Sequence, residues 1–124
     1  MKEHLPNNAA VIDKIILHKK SRVLELLFHD GFEVKLTCEF LRVYSPSAEV
    51  RGHGPGQEVL QIGKKNVFIE SIEQVGNYAV KLKFSDGHDS GIYSWEYLRE
   101  ISNDKDELWD RYLGRLKAAS KSRI

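Results

Sequence analysis

Apolar and polar positions along the chain fall into short blocks that predict strands, and the blocks occur twice. Val11 to Leu17 is a β-rich apolar run and Val23 to Phe28 is a second, with Lys19, Lys20 and Ser21 between them as a turn. Asp30-Gly31 is a hairpin signal, because glycine accepts the positive φ that tight turns need. Phe32, Val34 and Leu36 then alternate as a third strand does, and Thr37 is placed to cap a short helix carrying Cys38, Phe40 and Leu41. Residues 45–57 (SPSAEVRGHGPGQ) hold two of the three prolines and three of the nine glycines, and read as a long loop.

Beyond that loop the pattern restarts. Val67 to Ile72 reads as a strand, and Tyr78, Val80, Leu82 and Phe84 alternate with Lys81 and Lys83. Asp86-Gly87 is a second hairpin turn, and Ser94 is placed to cap a short helix from Trp95 through Leu98. The last element is an amphipathic helix, with Ser102, Asn103 and Asp104 as caps. Leu108, Trp109, Tyr112, Leu113 and Leu116 form its apolar stripe, and Arg115, Lys117, Lys121 and Arg123 stand where the helix dipole favours cations. Gly114 weakens this helix by about 1 kcal/mol relative to alanine.

The two blocks align residue by residue. Val23 to Gly31 matches Ala79 to Gly87, and Phe40-Leu41-Arg42 matches Tyr97-Leu98-Arg99 almost at the same offset; Ile12 and Ile15 match Ile69 and Ile72. The shared Phe-x-Asp-Gly and aromatic-Leu-Arg, in one order, point to duplication rather than to a chance hydrophobic pattern. The expected fold class is α+β: an antiparallel sheet from two duplicated β-hairpin-plus-short-helix units with pseudo-twofold pairing, covered on one face by the C-terminal amphipathic helix. The loop at 45–57 joins the units, so a site is expected at that junction.

Composition narrows the class. A chain of 124 residues suits one domain with one core. The expected organisation is a loose leader over 1–10, a single domain over 11–119 and a basic tail over 120–124. With 41% hydrophobic and 30% charged residues the chain reads as globular. Its 19 Lys and Arg against 18 Asp and Glu leave a net charge of +1, without the basic excess of a nucleic-acid binder. Cys38 is the single cysteine, so no internal disulfide and no Cys-x-x-Cys metal motif can form. The leader MKEHLPNN has no apolar core of a signal peptide, and no apolar run nears the roughly 20 residues that span a membrane; the expected compartment is the cytoplasm.

Three further blocks carry a family resemblance. They are Tyr44-Ser45-Pro46-Ser47-Ala48-Glu49-Val50 with Gly52-His53-Gly54-Pro55-Gly56, then Gly76-Asn77-Tyr78-Ala79-Val80, then Asp86-Gly87-His88-Asp89-Ser90-Gly91-Ile92-Tyr93-Ser94-Trp95. Across roughly residues 11–101 the chain resembles the gamma-butyrobetaine hydroxylase-like N-terminal domain. The resemblance implies a domain that precedes the catalytic domain of the hydroxylases, occurs fused to Mrp-type iron–sulfur ATPases, and also occurs as free-standing bacterial proteins, the kind this chain looks like. Hydroxylase chemistry belongs to a double-stranded β-helix domain for which 124 residues leave no room, so a non-enzyme is expected. The hydroxylases' domain carries a structural zinc on three cysteines, in a pattern like Leu-Arg-Asp-Asn-Cys-x-Cys-x-x-Cys, and a later histidine. Here Leu41-Arg42-Val43-Tyr44 leads into Ser45, Ser47 and Val50 at the cysteine positions, with His88 at the histidine position. Serine is a poor substitute for a thiolate, and the implied expectation is that this zinc is absent.

The candidate chemistry then divides in two. His88, just after the second Asp-Gly turn, reads first as a turn or surface histidine hydrogen-bonded locally, and second as a surviving ligand that Glu49 and His53 of the loop would join to hold iron or zinc. Arg51, His53 and their glycines resemble an anion-binding loop only loosely, with no Walker pattern, and a loop shaped by Gly and Pro is preferred. Cys38 is expected to pack under the first short helix rather than act as a nucleophile. Tyr93, Trp95 and Tyr97 read as core or as a recognition surface. The reading that follows is a non-catalytic binding domain with a protein partner, without nucleic acid, membrane or cofactor, using Glu49, Arg51, His53, Tyr93 and Trp95. The alternative is a metal-binding protein using His88, His53 and Glu49, and oligomeric state is left open.

Overall fold

The structure is a computed structural model that describes residues 11–124; the expected leader lies outside the described residues. The first unit runs β1 (Ile12–His18), β2 (Val23–Phe28), β3 (Glu33–Thr37) and α1 (Cys38–Val43). A helical turn, α2 (Ala48–Arg51), follows within the stretch expected to be loop. The second unit runs β4 (Ile69–Val75), β5 (Ala79–Phe84), β6 (Ile92–Ser94) and α3 (Trp95–Asn103), and α4 (Lys105–Ala118) ends the fold. Among the described residues no helix is long and apolar enough to cross a membrane.

The α+β architecture of two duplicated units is present down to small irregularities. The strands form two three-stranded antiparallel sheets, ordered β1-β2-β3 and β4-β5-β6, one per unit. Each third strand runs straight into a capped helix, and the two sheets meet through side chains of one core cluster rather than through a shared ladder. The register breaks at the same place in each, between Ile12 and Lys14 and between Ile69 and Ser71. Thr37 caps α1 by accepting from Phe40 N at 3.0 Å, and Ser94 caps α3 by accepting from Tyr97 N at 3.0 Å. Cys38 N donates to Arg22 O, and Trp95 N to Tyr78 O, in equivalent positions. This last pair explains one departure from the alternation: Tyr78 belongs to the turn before β5 and is 59% exposed, while Ala79 is buried in its stead.

One apolar cluster joins both sheets to α1 and α3. Leu24, Leu26, Phe28 and Leu36 of the first unit pack with Val80, Leu82, Phe84 and Leu98 of the second, and Cys38 is buried among them. Side chains of this size contribute roughly 1.5–3 kcal/mol each on burial, which ties the units into one body. On α4, Tyr112 and Leu116 are buried against Val43, but Leu113 of the expected stripe faces outward. The chain end, the basic tail of the sequence reading, bonds back to the domain. Arg123 donates to the buried Glu39 carboxylate at 2.6 and 2.7 Å, and Ser122 O and Arg123 O accept from Gly63 N and Lys65 N.

The repeat motifs meet crosswise. The aspartate of each Phe-x-Asp-Gly pairs with the arginine of the other unit's aromatic-Leu-Arg. Arg42 Nε donates to Asp86 at 2.9 Å, and Arg99 donates to both oxygens of Asp30 at 3.1 Å. Each aspartate also accepts from the backbone N–H two residues on, Phe32 N and His88 N. His88 therefore stands in the second unit where Phe32 stands in the first.

Candidate binding site at the junction of the two units

His88 is buried, not a surface histidine, and its partners come from far along the chain. Its Nε2 lies 2.8 Å from Ser45 Oγ and 3.3 Å from Ser47 Oγ. Ser47 N donates to Ser45 Oγ at 3.3 Å, which leaves the Ser45 proton free to point at His88 Nε2. In the Nδ1–H tautomer of a neutral imidazole Nε2 accepts that proton. The surroundings agree: burial, and next the nearby Arg42 guanidinium, push the His88 pKa down from its usual value. Ser45 itself has no spare room, since a Cβ on Gly91 would stand 2.4 Å from Ser45 Oγ.

Beside this node lies a compact charge cluster. Asp86 accepts from Lys64 Nζ at 2.6 Å as well as from Arg42. Burial alone would raise the Asp86 carboxyl, but hydrogen bonds from Lys64, His88 N and Arg42 outweigh it and bring the pKa down to about 2. Arg42 Nη1 is buried with no hydrogen-bond partner, so its charge depends on Asp86.

The loop after α1 carries the remaining candidates. α2 ends at Gly52, whose φ of +72° and 1.9 Å approach of Gln57 O to a would-be Cβ admit only glycine. Val59 N donates to Val50 O and Gln57 N to Gly54 O, closing the loop on itself. Glu49 is exposed and accepts from Ser90 Oγ at 2.6 Å. Arg51 lies over the Tyr97 ring, 4.8 Å from its centroid. His53 is exposed and lines an open groove of about 560 Å³ with Arg51, Tyr44 and Tyr97. Trp95 is half-buried against the core. Tyr93, read from sequence as a binding residue, is fully buried with its hydroxyl donating to Leu41 O at 2.5 Å, so it holds the junction from inside. The node, Glu49 and His53 do not converge: among the described residues no three His, Cys, Asp or Glu side chains gather as a metal-holding group.

Of the residues that the resemblance aligned to one site, Ser45, Ser47 and His88 are in contact. The family model described as gamma-butyrobetaine hydroxylase-like, N-terminal, matches residues 15–99. The chain belongs to this family. Two solution structures determined by NMR, with 50% sequence identity and a TM-score of 0.79, are similar to it; they span 91% and 98% of this chain and 89% and 91% of theirs. A crystal structure of a protein of unknown function from Acidithiobacillus ferrooxidans, assigned to the DUF971 family, is 37% identical with a TM-score of 0.66, over 78% of this chain and 98% of that one. Among curated proteins none matches.

As a member of the gamma-butyrobetaine hydroxylase-like N-terminal family, the chain has the family's domain, and its described elements do not include the double-stranded β-helix of the hydroxylases. The donor set at the position that the resemblance aligns with the hydroxylases' zinc is two neutral hydroxyls, one imidazole and the buried, donorless Val50. It does not fit a thiolate zinc site. Hydrogen bonds of His88 with Ser45 and Ser47 instead tie the segment after α1 to the second hairpin. The crosswise Asp–Arg pairs and Arg115 at the groove were not singled out by sequence reasoning. The repeated Asp-Gly and aromatic-Leu-Arg motifs carried the signal for the pairs; Arg115 lies outside the repeat and carried none.

Proposed function

We propose that this protein is a non-catalytic binding domain that engages a protein partner through the face formed by the 44–57 loop and the start of α3, as an accessory to iron–sulfur or metabolic proteins of the kind the family's fusions suggest. One observation supports this reading most. Glu49, Arg51 and His53 are exposed beside an open groove, on a loop closed by its own backbone hydrogen bonds and anchored to the core. A rigid, exposed, polar surface on a packed frame suits recognition. The polar groups that could act as acid and base are instead committed: the buried His88 to two serines, Asp86 to two cations.

The test is affinity capture from bacterial extract with cross-linking, wild type beside a Glu49→Ala, Arg51→Ala, His53→Ala variant. The reading expects at least one protein retained in near-equal amount by the wild type and lost by the variant. An identical captured set for both would refute it. The alternative, iron or zinc on His88, His53 and Glu49, predicts about one metal equivalent after purification without chelator, lost in His88→Ala; it has no converged donor group behind it.

A further inference from the structure

Charge neutralisation among the arginines is uneven. Arg42, Arg99, Arg111 and Arg123 each pair with a carboxylate within 3.1 Å. Arg51 and Arg115 have no carboxylate partner among the described residues, and both line the same groove. Arg51 is held by its stacking on Tyr97, and Arg115 makes only a long 3.5 Å contact to Glu58 O. The carboxylate of Glu58 accepts from Gly56 N at 3.3 Å. Two guanidinium groups from different elements, α2 and α4, thus face one concavity with donors to spare.

The rest of the groove is not built for a bare ion. Val50 and Val59 contribute apolar surface. The hydroxyls of Tyr44 and Tyr97 are spent on Leu108 O and Tyr44 O, each at 2.6 Å, so the tyrosines offer the groove ring carbon rather than free polar groups. The volume, about 560 Å³, lies in the range of sites for small organic molecules. Guanidinium groups bind carboxylates with directional, charge-assisted hydrogen bonds, and apolar walls favour a hydrophobic body behind the charge.

We infer that this groove binds a carboxylate carried on an apolar body, with Arg51 and Arg115 on the carboxylate and the body against Val50, Val59 and Tyr44. The chemistry is shared by a free organic acid and by the C-terminal residue of a peptide chain. The inference rests on the proposed binding face and names what that face recognises.

The experiment is an NMR titration of the full chain, following the amides of Gly52, Gly54, Val59 and Arg115. The probes are N-acetyl-phenylalanine, its amide, N-acetyl-Ala-Ala-Phe with a free carboxylate, and inorganic phosphate. Saturable shifts at these amides with the acid or the peptide are expected, at least tenfold weaker for the amide and for phosphate. Arg115→Gln is expected to weaken binding about tenfold or more, and Lys117→Gln, outside the groove, to leave it unchanged. Tighter binding of the peptide supports a chain terminus as the source, and equal or tighter binding of the single residue supports a free acid. Shifts elsewhere on the surface, equal response to acid and amide, or phosphate as good as the acid would overturn the inference. The two readings fail separately: a partner lost with the loop variant but no acid binding sinks only this one, and acid binding with an unchanged captured set sinks only the proposed partner.

Discussion

The crosswise ion pairs offer a comparison that the duplication itself controls. Asp86→Asn and Asp30→Asn make the same change at equivalent positions. Asparagine keeps an oxygen to accept from the backbone N–H two residues on, so only the charge is lost. The settings differ. At Arg42–Asp86 the side chains are 8% and 21% exposed, and Arg42 Nη1 has no partner to fall back on. At Arg99–Asp30 they are 19% and 36% exposed, and water can replace the carboxylate. The Asp86 pKa, lowered from 3.8 to about 2, corresponds to at most about 2 kcal/mol of stability in the ionised form, reduced by solvent screening at this part-exposed carboxylate. A buried charge left without its partner costs up to about 3–5 kcal/mol. Asp86→Asn is therefore expected to lose about 2–4 kcal/mol at pH 7, and Asp30→Asn much less. The sign with pH follows from a depressed carboxyl: its contribution is fully present above pH 3.8 and fades as pH falls through about 2, so the gap between wild type and Asp86→Asn closes there. Urea titrations of both variants at pH 7 and at about pH 2 measure this. Equal losses for the two variants, or a gap at Asp86 that persists in acid, would refute the reasoning.

Two further predictions concern the node. His88→Ala removes the partner of two buried serines and is expected to cost about 2–4 kcal/mol. The wild type should also lose stability as pH falls below 6.5, because the unfolded histidine protonates before the buried one does, and His88→Ala should lack that slope; thermal melts between pH 7 and pH 5 read both effects. Gly91→Ala places a methyl 2.4 Å from Ser45 Oγ and 3.3 Å from Pro46 Cδ, and is expected to destabilise by about 1–3 kcal/mol. Gly54→Ala, which meets nothing within 4 Å, is the matched control in the same denaturation assay.

The local features of the fold were legible because short-range chemistry dictates them. Thr37 and Ser94 cap helices as expected, Asp30 and Asp86 fold their turns, and Val80, Leu82 and Phe84 bury together as their spacing required. Where one position had two neighbours competing for it, the pattern misled. Tyr78 continues the alternation on paper, yet it serves the turn and stands in solvent. Tyr93, an aromatic with a hydroxyl, suits a surface as well as a core by composition; its bond to Leu41 O puts it in the core. α2 was read as loop because Gly and Pro crowd it, although only Gly52 and beyond need the special backbone.

What the sequence determined by itself is the duplication, the order of elements in each unit, and the kinship of Ser45, Ser47, Val50 and His88 with one family site. The duplication and the element order follow from side-chain periodicity, turn chemistry and motif spacing, which act over a few residues or repeat at a fixed offset; the kinship follows from the family resemblance. The tertiary structure alone decided which unit's arginine meets which unit's aspartate, that His88 is sealed between two serines, and that Arg51 and Arg115 line one groove. Each of these joins residues more than forty positions apart, and their meeting depends on how the two sheets and α4 pack around the shared core. Periodicity says which face of an element is buried; only the packed core says what that face is buried against.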